Sequence, residues 1–237
     1  MTACYEVPRE YLFAYSIPNA DQTCSNLSQL LDADGEFLLQ EVVAAGFDYL
    51  VQFADLAQTF LQHSPIPLDD WIIDPAISYG TRGQIQIVLE DISGNPGNDA
   101  SLLFRGRNRY ANLPPVKYLP GKCREDPKDY PFLGVIPASG VLENQTQDLD
   151  KDASFSLRQV VAEGTGNVQF ADARRNFIQN VPIPTTFFGK PYVPQIDYPP
   201  GGQILIKITG TPGASVELTF KGVNRYRIPS GGGSYVE

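Results

Sequence analysis

The chain has 237 residues, 42% of them hydrophobic and 11% aromatic, which excludes a largely disordered protein and allows one large domain or two small ones. Its 21 glycines and 20 prolines follow no collagen period, so they read as punctuation between many short strands. The net charge of -9 lies in the first half, since residues 1–120 carry 15 acidic and 6 basic side chains and residues 121–237 carry 12 of each; an acidic half with no basic stripe argues against nucleic acid as a partner.

In chain order, Met1 to Phe13 holds charges and a proline where a signal peptide needs an apolar run, and no later stretch approaches the roughly 20 apolar residues of a membrane span. Cys4, Cys24 and Cys123 are odd in number and lack CxxC spacing, which fits free thiols rather than a disulfide framework or a zinc site. The expectation is a chain made in the cytoplasm, with no membrane partner. Period-two alternation predicts strands at Glu36 to Val43, Tyr49 to Ala54, Gln84 to Glu90, Ser101 to Arg105 and Gln203 to Thr209. Leu50 to His63 also reads as an amphipathic helix. Its counterpart further on, Val168 to Asn180, is a poorer helix, which favours two short strands joined at a turn on Asp55 and Asp172.

That counterpart exists because the chain repeats itself. Pro8, Tyr11, Phe13, Ile17 and Pro18 recur as Pro127, Tyr130, Phe132, Ile136 and Pro137. Gln52-Phe53-Ala54-Asp55 recurs as Gln169-Phe170-Ala171-Asp172, Pro65-Ile66-Pro67 as Pro182-Ile183-Pro184, and Phe104 to Tyr110 as Phe220 to Tyr226. Two copies imply two domains, 1–113 and 124–229, joined by a proline-rich linker at 114–123 and followed by a glycine-rich tail at 230–237. The fold class expected is all-β, with two tandem β-sandwich, jelly-roll-like domains. Phe37, Phe53, Phe104 and Tyr110, with Phe155, Phe170, Phe220 and Tyr226, are the anchors common to both.

The search for chemistry finds turns more readily than sites. His63, the single histidine, has Asn180 as its counterpart, so a histidine triad could exist in one copy at most. Asp32-x-Asp34-Gly35 opens like a calcium loop, but position twelve is Val43, and the pair Asp150 and Asp152 points to an Asx-type turn. Asp69 and Asp70 are adjacent, so on a strand they face opposite sides and do not flank a glycosidic bond. Gly80-Thr81-Arg82-Gly83 lacks the spacing and lysine of a phosphate loop. Asn108-Arg109-Tyr110 and Asn224-Arg225-Tyr226 fit an arginine stacked on tyrosine beside an asparagine turn. No catalytic, cofactor or metal residue is expected. Exposed Trp71, Tyr79, Tyr192 and Tyr198 are candidates for stacking against a sugar, the alternative being a carbohydrate- or receptor-binding module of a fibre or spike.

The assembled order is Asp150-x-Asp152-x-x-Phe155, Gln169 to Asp172, Pro182 to Pro184, Pro199-Pro200-Gly201-Gly202-Gln203-Ile204 and Phe220 to Tyr226. It resembles the small virion structural proteins of bacteriophages, of the minor capsid or decoration type. That resemblance implies β-sandwich or jelly-roll modules in a virion, packed against capsid or other virion proteins, with no enzymatic activity and no cofactor. The duplication departs from a single-module pattern and brings in a further alternative, the double jelly-roll major capsid protein of a tailless phage. Three two-module chains would approximate a sixfold ring, so a homo-oligomer, and a trimer in particular, is expected.

Overall fold

Strands form here because every second side chain is apolar. In Gln84–Asp91, positions 85, 87, 89 and 91 are buried and those between are not. Ile204, Ile206 and Ile208 do the same in Gln203–Thr209. Alternate residues of a strand share a face, so one side of each sheet meets a core and the other stays polar. The computed structural model describes residues 5–19, 22–45, 48–62, 65–67, 70–95, 97–110 and 123–227, the side chains of Tyr5, Ile66 and Cys123 excepted.

The first copy contains β1 Tyr5–Ile17, β2 Thr23–Leu30, β3 Glu36–Ala45, β4 Tyr49–Phe53, β5 Ile66–Pro67, β6 Trp71–Tyr79, β7 Gln84–Asp91 and β8 Asn98–Tyr110. They make two sheets, of order β1-β8-β3-β6 and β2-β7-β4-β5. The second copy contains β9 Cys123–Val135, β10 Val141–Asp148, β11 Ala153–Gly164, β12 Asn167–Phe170, β13 Ile183–Pro184, β14 Pro191–Tyr198, β15 Gln203–Thr209 and β16 Ser215–Arg227. Its sheets, β14-β11-β16-β9 and β10-β15-β12-β13, repeat the winding of the first strand for strand. Eight strands wound in this way into two sheets are a jelly roll, so the chain is all-β with two tandem jelly-roll sandwiches. It divides into two compact units, Met1–Pro115 with Ile178–Ile183, and Val116–Phe177 with Pro184–Glu237. The expected linker, save the backbone of Cys123, and the expected tail lie outside the described residues.

Irregularities repeat as well. β2 shifts register between Cys24 and Leu27, and β10 between Leu142 and Gln145. Within those bulges Asn26 and Asn144 have φ of 62° and 56°, a region that asparagine tolerates better than most side chains. β3 and β11 bulge between Leu39 and Glu41 and between Leu157 and Gln159. The stretch from Leu50 is a strand ending at Phe53. Asp55 then turns the chain by accepting the N–H groups of Ala57 and Thr59, each at 2.9 Å. Asp172 accepts those of Arg174 and Asn176 at 2.8 and 2.9 Å. Beyond each turn stands a single bridge, Ala54 to Phe60 and Ala171 to Phe177, in place of the second short strand expected. β8 is also far longer than Ser101 to Arg105, because its polar end continues to pair with β1 as far as Tyr110 opposite Tyr5.

Aromatic rings fill the middle of each sandwich. Phe37, Phe53, Phe104, Phe155, Phe170 and Phe220 are all fully buried. Tyr11 meets Phe37 edge-on at 4.9 Å, as Tyr130 meets Phe155 at 4.9 Å. Phe53 meets Phe104 at 6.1 Å, as Phe170 meets Phe220 at 5.7 Å. Such edge-to-face pairs contribute about 0.5–1.5 kcal/mol beyond the area they bury.

Candidate functional site

The polar residues common to both copies converge. In the first, Asp32 follows β2, Tyr11 lies in β1, and Asn108 and Tyr110 lie in β8. The Asp32 N–H donates to the Tyr11 hydroxyl at 3.0 Å, and Asn108 Nδ2 reaches Asp32 Oδ2 at 3.0 Å and the Tyr110 hydroxyl at 3.3 Å. In the second, the Asp150 N–H donates to the Tyr130 hydroxyl at 3.0 Å, Asn224 Nδ2 reaches Asp150 Oδ2 at 3.4 Å, and the Tyr226 hydroxyl donates to Asp150 Oδ2 at 2.8 Å. Asn108 and Asn224 are fully buried in mid-strand, so neither turns the chain. Arg109 pairs with Glu6 and Glu36, and Arg225 with Glu125 and Asp197, while Arg9 lies over the Tyr11 ring and Arg124 over that of Tyr226. The expected Asx-type turn is present at Asp150, whose Oδ1 accepts the Asp152 N–H at 2.9 Å.

Electrostatics here serve cohesion. The backbone N–H of Asp152 and then the Tyr226 hydroxyl hold the Asp150 carboxyl below its usual range. Burial, and then the Asp32 charge, push the Tyr11 hydroxyl up. Burial works against the Arg9 charge, but Asp32 and Tyr11 outweigh it and the net shift is upward. These bonds tie the loop after β2 or β10 to two strands of the other sheet. Among the described residues no three His, Cys, Asp or Glu side chains gather in a way that could hold a metal ion. Cys24 is a buried thiol outside any disulfide. Cys4, His63 and Asp69 lie outside the described residues. Among the described residues no helix is long and apolar enough to cross a membrane.

The four aromatic candidates for sugar stacking do not form an exposed platform. Tyr79 and Tyr198 are fully buried, and their hydroxyls donate to the carbonyls of Ala54 at 2.6 Å and Ala171 at 2.7 Å. Tyr192 is buried against Phe170, 5.8 Å away, in the place that Trp71 takes against Phe53 at 5.3 Å. Trp71 alone of the four is half-buried rather than buried. The expectation of exposure is corrected for the three tyrosines: their spacing on β6 and β14 sends them inward, where Tyr79 and Tyr198 each have a carbonyl partner for the phenol and Tyr192 packs its ring on Phe170.

What the chain does offer outward is strand edges and apolar side chains. β1 is an edge strand, and within the first unit residues Ile178–Asn180 lie along it. The Glu10 N–H donates to the Ile178 carbonyl at 3.0 Å and the Asn180 N–H to the Glu10 carbonyl at 3.1 Å. The Glu10 carboxylate, 2% exposed, accepts from Arg105 Nε at 2.7 Å and Gln179 Nε2 at 2.6 Å. A carboxylate buried this deeply is tolerated only with such partners. β9, the corresponding edge strand of the second copy, presents Leu133 and Val135 to solvent, 61% and 57% exposed. Leu56, Phe60 and Leu61 are exposed in the turn after β4. Sequence reasoning missed Glu10 and Asp129, since a charged residue amid alternating apolar ones gives no sign of being at an edge.

No family model matches the chain, and no curated protein matches it. Solved structures do. The exported protein XepA of PBSX is 14% identical, over 92% of this chain and 86% of its own, with a TM-score of 0.24. The turret protein of Sulfolobus turreted icosahedral virus is 13% identical, over 92% and 98%, with a TM-score of 0.22. The major capsid protein of bacteriophage PM2 is 11% identical, over 93% and 100%, with a TM-score of 0.26. At these identities and scores no function passes from them to this chain.

Proposed function

We propose that the chain is a structural protein of a bacteriophage virion that acts by packing against capsid or other virion proteins. The observation that carries this reading is the duplication itself. Among the described residues both copies keep the same eight strands, the same bulges and the same Asp-Asn-Tyr cluster, and that cluster's bonds hold strands together. Duplicated jelly rolls with different outer faces suit a part that makes several unlike protein contacts in a shell. The modules are 1–113 and 124–229, with 114–123 joining them in sequence.

Within that reading the part is a minor capsid, cement or decoration protein. The presence of eight strands among the described residues of each copy favours a second position, a major capsid subunit built as a double jelly roll. The test is to band particles from the culture that makes the chain on a density gradient and count its copies by quantitative mass spectrometry. A fixed ratio to genome ends in particle fractions supports the virion role, with hundreds of copies or more indicating the major subunit and fewer the minor one. Complete absence from particle fractions would sink the reading.

A further inference from the structure

We infer that a second copy of this chain seats its Phe60–Gln62 segment on the edge of β9 at Asp129, repeating between chains the arrangement that Ile178 and Gln179 make against Glu10. The correspondence is residue by residue. Phe60-Leu61-Gln62 matches Phe177-Ile178-Gln179. Asp129 precedes Tyr130 as Glu10 precedes Tyr11, and it pairs with Lys221 in the register in which Glu10 pairs with Arg105. One half of the arrangement is filled and the other is open. Ile178 and Gln179 are buried, as is Glu10. Leu61 is 40% exposed and Asp129 is exposed.

Gln62 supplies the independent sign that something is missing. It is 7% exposed, its Oε1 accepts the Phe53 N–H at 3.1 Å, and its Nε2 is buried with no hydrogen-bond partner. The Phe53 donor fixes which amide atom is which. A buried amide nitrogen without an acceptor is costly and uncommon. In the matching position Gln179 Nε2 finds its acceptor in Glu10 Oε2 at 2.6 Å. Gln62 Nε2 has almost no exposed surface of its own, so the Asp129 carboxylate of a second chain becomes the corresponding acceptor when docking shifts the residues that cover the amide. Strand edges are ready templates for added backbone, and the register that turns the Glu10 N–H outward turns that of Asp129 outward too, toward the Leu61 carbonyl.

The neighbouring surfaces are complementary. Pro131, Leu133 and Val135 alternate along β9 and form an exposed apolar stripe beside Asp129. Leu56, Phe60 and Leu61 form the exposed apolar cluster that would cover it. One bond has no counterpart: the Leu12 N–H donates to Asn180 Oδ1 at 2.8 Å, whereas Pro131 has no N–H and residue 63 is histidine. Donor and acceptor both change, so neither is left waiting. Because the two surfaces differ, the contact is head-to-tail and closes as a ring or continues as a filament.

The test is light scattering over a concentration series on the full chain, on Leu61→Glu, on Asp129→Arg, and on an equimolar mixture of the two variants. The wild type is expected to grow beyond two chains. Each variant alone should stay at the 26.1 kDa monomer, and the mixture, which retains one intact pair of surfaces, should stop at twice that mass. A wild type that stays monomeric, a variant that assembles as the wild type does, or a mixture that stays monomeric would each overturn the contact. Both positions are exposed, and Leu61→Ser with Asp129→Ser repeats the comparison should a new charge disturb folding, which circular dichroism would show. The contact is drawn from the chain's own geometry, so its loss would leave the virion reading to be decided by particle composition.

Discussion

The Tyr79 hydroxyl donates to the Ala54 carbonyl at 2.6 Å from the interior of the first sandwich, and this bond joins one sheet to the other, since β6 belongs to the first sheet and Ala54 follows β4 of the second. Tyr198 and Ala171 repeat it at 2.7 Å. Tyr79→Phe keeps the ring and leaves the carbonyl without its donor, so each phenylalanine variant is expected to lose about 1–3 kcal/mol of unfolding free energy. Urea titration followed by far-ultraviolet circular dichroism measures it. A change within error would mean that the bond contributes nothing beyond the packing of the ring.

The buried asparagines predict a larger effect. Asn224 Nδ2 contacts Tyr130, Asp150 and Tyr226, and its Oδ1 accepts from Tyr130 at 3.1 Å. Asn224→Leu strands several polar partners at once, and a loss of about 3 kcal/mol or more is expected. Asn108→Leu should behave alike. Thermal unfolding of the two single variants and the double variant would show whether the copies respond alike.

Two glycines admit no side chain for steric reasons. A Cβ on Gly106 would lie 2.0 Å from the Leu38 carbonyl oxygen, and one on Gly222 would lie 2.1 Å from that of Ser156. Both obstacles are backbone of the neighbouring strand at its bulge, which cannot swing aside. Gly106→Ala and Gly222→Ala are therefore expected to yield little soluble folded protein, whereas Gly94→Ala, where a Cβ meets nothing within 4 Å but φ is +70°, should cost only the modest strain of that conformation. Soluble yield and melting temperature of the three variants check this.

Alkali should unfold the chain in part through Tyr49. Burial pushes its hydroxyl up to about 12, and that hydroxyl donates to the Ala45 and Ser101 carbonyls at 2.9 and 3.0 Å. A folded-state value above the unfolded value of about 10 means that the stabilisation is complete below pH about 10 and is lost as pH rises through the folded value near 12. Tyr49→Phe should start less stable at neutral pH and decline less steeply between pH 10 and 12. Asp150 has the opposite sign. Its folded value is depressed, so its contribution is present above the unfolded value of about 4 and disappears as pH falls below that. The stability gap between wild type and Asp150→Asn should therefore narrow as pH falls below about 4. Denaturant midpoints across both windows test the pair.

Much of the frame was legible from residues alone, because the features that fix it are local or periodic. Ile85, Ile87 and Leu89 alternate, Asp55 and Asp172 recur at the same turn, and the repeat of Phe37, Phe53 and Phe104 named ring positions that are buried in both copies. Asp32, Tyr11 and Asn108 were each singled out, yet their meeting depends on which strands become neighbours, and β1 pairs with β8 across nearly the whole copy. Tyr79 and Tyr198 misled for a related reason: a tyrosine at a strand end is equally acceptable inside or outside, and only the carbonyl opposite decides. The state of Glu10 and Asp129 was beyond reach, since two acidic residues in like sequence settings differ in burial only through what lies along the strand edge.

The matched rings at Tyr11–Phe37 and Tyr130–Phe155, 4.9 Å apart in each pair and inclined at 85° and 82°, have an evolutionary consequence. A shape cast twice from one mould binds its inner residues to a common history while leaving the outer ones to drift. Ala14 and Ser16 on one strand answer to Leu133 and Val135 on the other. Substitution can thus revise what each half presents outside without reopening how either half is filled.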